Sequence, residues 1–274
     1  MSARKAAMIL YRSCWFAFVA LLVTDLVADR LVPYGLVFVP AAAAILIGLL
    51  VGRRRADLAA DRPAVEVGPP VTGRWTALNS PADKVPSHGT HGYGQTYAID
   101  IVAEPEEGSR PPFRRLWPVA RPNRDFPAFG APVLAVADAT VVHASDSRRD
   151  HLSRNSGPAL AYLMLVEASL CDMAGARWIV GNHLVLDLGD GTYAAYAHLR
   201  RGSLQVRAGD TVRTGQLLAR CGNSGNSTEP HVHFQLMDHP DLDVARGIPF
   251  TWRGIGVPAN GEVFTAGETV GDGW

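Results

Sequence analysis

The sequence predicts a mostly β protein: an antiparallel β-sandwich or partly open barrel, preceded by N-terminal transmembrane helices. Three observations predict it. Two long apolar runs open the chain, short alternating apolar runs broken by Gly, Pro, Asn and Asp follow, and a Gly-Asp-Gly hairpin signal sits among them. At 274 residues the chain has room for one large domain and an appendage.

In order along the chain, Ile9–Ala28 and Leu31–Gly52 are strongly apolar and separated by Asp29-Arg30. The second run carries no charge over about 20 residues, enough to cross a hydrocarbon core of roughly 30 Å as a helix. The first is interrupted by Arg12 and Asp25. A signal peptide fits poorly, because the apolar region is long, a second run follows and no clean small-residue cleavage site stands out. Residues 1–55 therefore read as a membrane anchor, either a hairpin or one span preceded by an interfacial segment. Topology is contested by the charges. Arg4, Lys5 and Arg12 before the first run and Arg53, Arg54 and Arg55 after the second would hold both ends, and the domain, in the cytoplasm. A single span with its N-terminus inside would instead place the domain outside the cytoplasm, the location preferred here.

Asp57–Pro70 is charged and proline-containing, so residues 56–72 read as a linker. The β-domain is expected over 73–252. Within it Ala131–Ala144 alternates around Ala-Asp-Ala, His183–Leu199 forms two alternating runs joined by Gly-Asp-Gly, and Ser203–Cys221 turns at Ala-Gly-Asp. Glu104–Gly130 and Ser147–Arg177 look like insertions, the second with a short helix near Ala159–Leu170. The glycine-rich residues 253–274 read as a loose tail.

Lys+Arg and Asp+Glu balance at 26 each, which argues against a nucleic-acid partner. Cys14, Cys171 and Cys221 have neither Cys-x-x-Cys spacing nor a disulfide framework; Cys171 and Cys221 either pair or are free buried thiols.

Three segments carry polar residues that folding does not require: Ser87–Asp100 with His88, His91 and Asp100, then Tyr196–Leu199 with His198, then His231-Val232-His233. Alternation on a strand puts His231 and His233 on one side, about 7 Å apart. A mixed His/Asp set with an open position suits catalytic zinc, whereas a closed structural site would use four ligands, often cysteines.

These motifs resemble a known family. YAHL at 196–199, GDTVRTGQ at 209–216, GNSGNST at 222–228 and HVHF at 231–234 are similar to lysostaphin/LytM-type zinc metallopeptidases, the resemblance covering roughly Ser87 to Leu236. It implies the β fold of that peptidase, a zinc cofactor and hydrolysis of peptide bonds in bacterial cell-wall peptidoglycan. It also implies Asp100 and His233 as metal ligands and His198 and His231 as catalytic residues, one as general base and the other facing the oxyanion, with exchangeable roles. The first motif departs from the pattern: four residues before Asp100, where the family has histidine, stands Thr96. The remaining ligand must come from His88 or His91 across a loop containing Gly89, Gly92 and Gly94. His88 is favoured, because it follows an extended Val-Pro-Ser while His91 sits among glycines.

His183 reads as a structural histidine or as a partner that orients another site residue. His143 and His239 receive no role, and Asp187 and Asp190 are explained by the hairpin turn. Asn223 and Asn226 serve either turn formation or substrate positioning. The alternative function is an inactive metallopeptidase-like domain that binds wall peptides or a partner protein. The turn at Val206–Ala219 resembles that of lipoyl carrier domains, but no lysine follows Lys84, so an attachment site is excluded.

Overall fold

A computed structural model describes residues 3–27, 33–52 and 62–267. Arg53, Arg54 and Arg55, part of the expected linker and the end of the expected tail lie outside these residues. The N-terminal runs form α1 (Ala3–Val27), α2 (Tyr34–Val37) and α3 (Val39–Gly52). Tyr11 of α1 lies against Gly48 of α3, and Phe18 stacks near Phe38 at 5.7 Å, so α1 and α3 run antiparallel. Over Ala6–Val27, α1 is long and apolar enough to cross a bilayer.

The strands are β1 (Val65–Val67), β2 (Gly73–Leu78), β3 (Ile99–Ala103), β4 (Pro132–Leu134), β5 (Ala139–Ser145), β6 (Asn182–Gly189) and β7 (Thr192–Leu199). They continue with β8 (Thr211–Val212), β9 (Leu217–Arg220), β10 (Val232–Met237), β11 (Gly247–Ile248), β12 (Phe250–Trp252) and β13 (Val263–Ala266). The main sheet is antiparallel, in the order β13-β2-β3-β10-β7-β6-β5-β8, with β11 added to β10. Among the described residues its end strands β13 and β8 do not pair, so no barrel closes. Opposite it lie two short ribbons, β4–β9 and the parallel pair β1–β12, in place of a second full sheet.

The main core fills the space between sheet and ribbons. Leu184, Leu186, Tyr196 and Phe234 face Val133, Leu218, Phe250 and Trp252 there. The Tyr196 hydroxyl accepts the Val136 N–H at 3.0 Å, and burial pushes its pKa up. The other face of the sheet carries a smaller cluster with Val185, Ala195, Ala197, Met237 and Tyr93. That face also holds the site.

Two boundaries move outward from those expected. Val65–Val67, within the expected linker, pairs with β12, and Val67 and Val71 are buried in the core. Val263–Ala266, within the expected tail, pairs with β2 as an edge strand, with Phe264 packed on Trp252. Both segments are short, and their apolar residues are too few to show a period.

The helix near Ala159–Leu170 is longer than expected. It comprises α4 (Gly157–Tyr162), a π turn (Leu163–Glu167) and α5 (Ala168–Ala174), with α6 (Ala176–Val180) after Gly175. Ser156 caps it by accepting from the Ala159 N–H. Cys171 sits on α5 and Cys221 follows β9; both are free thiols, as is Cys14. Burial pushes the Cys221 thiol pKa up, away from thiolate chemistry.

Candidate active site

Strand pairing assembles the site. Asp100 on β3 stands directly opposite His233 on β10. Cross-strand partners share a face of the sheet, so the carboxylate Oδ1 lies 2.8 Å from His233 Nδ1. The other carboxylate oxygen lies 3.0 Å from His88 Nε2 and accepts from Asn79 Nδ2 at 2.8 Å. One donor atom from each of His88, Asp100 and His233 falls within 4.8 Å of the others, a spacing able to hold a metal ion. His91 is placed elsewhere: its Nδ1 meets the Thr96 hydroxyl at 3.1 Å. Thr96, at the family's usual histidine position, is fully buried beneath this loop.

Gln235 was not singled out from the sequence, yet it determines the state of His233. Its side-chain Nε2 donates to the Tyr93 carbonyl at 2.7 Å, which turns Oε1 toward His233 Nε2 at 3.0 Å. His233 must then carry its proton on Nε2, leaving the Nδ1 lone pair aimed at Asp100. Two electron pairs facing each other at 2.8 Å need a positive centre between them, either a proton or a metal ion. This donor set therefore fits zinc, whose ligands are deprotonated and oriented by outer hydrogen bonds. The sequence signal for Gln235 was alternation: His231, His233 and Gln235 occupy every second position. Gly94 makes room for it, since a Cβ there would stand 2.7 Å from Gln235 Nε2.

Two further imidazoles flank this group. His198 and His231 lie 4.7 Å apart between ring centroids, and His198 lies 5.7 Å from His233. His231 Nδ1 meets the Glu229 carbonyl at 2.7 Å, and His198 Nδ1 meets the Ser224 carbonyl at 2.8 Å. A carbonyl only accepts, so both Nδ1 atoms are N–H; His198 leaves its Nε2 open, while His231 Nε2 lies 3.4 Å from Asp100 Oδ1. His198 has φ of 59°, left-handed for a non-glycine residue. Regular alternation would send it to the core face with Tyr196. A register shift between β6 and β7 instead keeps Ala197 and His198 on the site face and returns Leu199 to the core. Such a residue costs on the order of 1–3 kcal/mol and is typical of functional positions.

The 222–228 loop holds this geometry. Gly225 has φ of 79°, and a Cβ there would meet the Gly181 backbone at 2.5 Å, so only glycine fits. Ser224 hydrogen-bonds Asn182 and Leu199. Asn223 donates to Asn123 and His151, which supports the loop-forming reading. Among the described residues no hydrogen bond reaches the buried Asn226 Oδ1, and its N–H donates to the Ile179 carbonyl.

Charges in the site are strongly coupled. Burial would raise the Asp100 pKa, but the charge that His88 and His231 can carry, with a proton held between the carboxylate and the His231 and His233 nitrogens, keeps it well below the usual range. Burial works against charging His231, yet the Asp100 carboxylate outweighs it and raises the pKa. Burial, reinforced by His231 and His233, lowers that of His198 and keeps it neutral.

His183 lies apart, stacked on His143 at 4.6 Å with Nδ1 on the Gly181 carbonyl. Burial depresses its pKa to about 4. The unfolded chain then binds more protons between about pH 4 and 6.5, so stability falls as pH drops through that window, by roughly 3 kcal/mol in full. Unfolding midpoints in detergent should fall accordingly, and His183→Gln should flatten the profile; an unchanged slope in the variant would contradict this. His239 Nδ1 accepts from Asp241 N–H in a surface turn.

On this antiparallel sheet the His88, Asp100 and His233 group resembles a metal site, and two further imidazoles flank it. Residues 166–244 match the model of Peptidase family M23. Over 74 residues, 27% of this chain, the sequence is 38% identical to glycyl-glycine endopeptidase ALE-1 of Staphylococcus capitis and to lysostaphin of Staphylococcus simulans. The match spans 18% and 14% of those proteins, under a fifth of their length. Among solved structures, the catalytic domain of lysostaphin from Staphylococcus simulans is similar at 20% identity, covering 66% of this chain and 86% of that one, with a TM-score of 0.33. A zinc-containing peptidase from Vibrio cholerae is similar at 20% identity, covering 55% and 48%, with a TM-score of 0.27. Over residues 166–244 the chain is similar to the lysostaphin/LytM-type peptidases. The matched stretch contains His198, His231 and His233; His88 and Asp100 lie before it.

Proposed function

We propose that this chain is a membrane-anchored, zinc-dependent endopeptidase that hydrolyses peptide bonds of bacterial cell-wall peptidoglycan. The observation that carries the reading is the convergence of His88, Asp100 and His233 with two Nε2-presenting histidines on one sheet face. His88 Nε2, an Asp100 carboxylate oxygen and His233 Nδ1 would hold the zinc. When bound, zinc acidifies water and polarises a carbonyl. His198 and His231 share the remaining work: one unprotonated Nε2 accepts the proton of the attacking water, and the other ring, carrying a second proton on Nε2, donates to the oxyanion. The buried Ser224 and Glu229 carbonyls keep both rings oriented for it. The apolar α1–α3 pair in residues 1–55 serves as the anchor. The wall substrate requires the domain to lie outside the cytoplasm; the similarity to a glycyl-glycine endopeptidase supports the endopeptidase reading.

Incubating the zinc-loaded chain with purified peptidoglycan tests this. Soluble fragments with new amino termini should appear, and a chelator should stop their release. Wall binding without cleavage would favour the inactive binding-domain reading instead.

A further inference from the structure

We propose that the helical insertion α4–α5, with the segment 113–119 strapped across its start, is a second membrane contact that lies in the headgroup layer of an anionic bilayer beside α1. The proposal rests on α1 as a membrane anchor and is independent of catalysis.

The first observation is attachment. Asp172 of α5 takes an ion pair from Arg12 of α1 at 3.3 Å and a hydrogen bond from the Tyr93 hydroxyl at 2.7 Å, and Tyr93 also reaches Met8 of α1. An apolar helix able to cross a bilayer is thereby fixed against α5, so α5 sits where that helix leaves the hydrocarbon. The second is the surface there. The insertion docks on the domain through Ala159, Leu163 and Ser169, which makes it a surface helix, yet it turns large apolar residues outward. Leu165 is 74% exposed, and Met164 and Leu170 are exposed with it. The segment 113–119 continues this surface: Arg114 N–H donates to Asn155, Gly157 N–H to Arg114, and the Ser156 hydroxyl to Val119. It exposes Leu116 at 71% and Trp117 at 78%. Isolated exposed leucines need no explanation, but five large apolar side chains exposed on one helix and the segment bonded to its start point to a contact surface.

The third observation is charge. Arg114 and Arg115 are exposed within the patch, and among the described residues neither has an ion-pair partner. The carboxylates of the insertion helix are occupied, Glu167 by Arg154 and Asp172 by Arg12. Apolar and aromatic groups beside uncompensated arginines suit a lipid interface with anionic headgroups.

The test uses the full chain reconstituted in vesicles of phosphatidylcholine with phosphatidylglycerol, in a Cys14→Ser, Cys171→Ser background. A bimane fluorophore is placed singly at Leu165→Cys, Trp117→Cys, Val19→Cys on α1 or Val263→Cys on β13, and quenched by lipids doxyl-labelled at shallow or deep positions. Leu165 and Trp117 should lose most of their emission to the shallow label, Val19 to the deep one, and Val263 should keep its emission. Replacing phosphatidylglycerol by phosphatidylcholine should weaken quenching at Trp117, as should Arg114→Glu with Arg115→Glu. Unquenched Leu165 and Trp117 beside a quenched Val19 would overturn the proposal while sparing the anchor, and would leave the patch to a protein partner. An unquenched Val19 would overturn both.

Discussion

His233→Ala is expected to abolish stoichiometric zinc binding and, with it, the proposed cleavage of wall peptides. The imidazole Nδ1 sits 2.8 Å from the Asp100 carboxylate, and its replacement removes one of three protein donors from a buried set. The expected fall in zinc affinity exceeds the roughly 10–100-fold typical of losing an outer hydrogen bond to a ligand. Gln235→Ala supplies that smaller comparison, because Gln235 only orients His233 through Nε2. Metal titration with a competing chelator should rank wild type, Gln235→Ala and His233→Ala in descending affinity. Full zinc occupancy in His233→Ala would remove this residue from the ligand set.

His198→Asn separates chemistry from metal binding. Asparagine tolerates the left-handed backbone that His198 adopts, so the turn at the end of β7 should persist. The imidazole is lost, and with it one of two groups that handle the proton or the oxyanion. Zinc content should match wild type while kcat/KM falls by about 10²–10⁴-fold. Activity within a few-fold of wild type would place the chemistry on His231 alone.

Much of this arrangement was legible in the sequence because it follows from strand periodicity. His-x-His reads as two side chains on one face, and β10, with His231 immediately before it, puts them there. The hairpin of β6 and β7 was announced by Gly-Asp-Gly. What was not legible depended on pairing between distant segments. Val65–Val67 and Val263–Ala266 become strands only because β12 and β2 offer partners. The choice between His88 and His91 turned on how a glycine-containing loop closes. There Gly89 and Gly94, with φ of 69° and 73°, fold the chain so that His88 reaches Asp100. His198 would have been sent to the core by strict alternation; only the family motif flagged it, and the shifted register explains why it faces the site.

The measurement that tests the central claim most directly is the zinc content of the purified chain beside its His88→Ala and His91→Ala variants. The geometry predicts near-stoichiometric zinc in wild type and His91→Ala, and its loss in His88→Ala. Zinc retained by His88→Ala and lost by His91→Ala would contradict the ligand set. Absence of zinc binding by wild type after reconstitution would contradict the metallopeptidase reading as a whole.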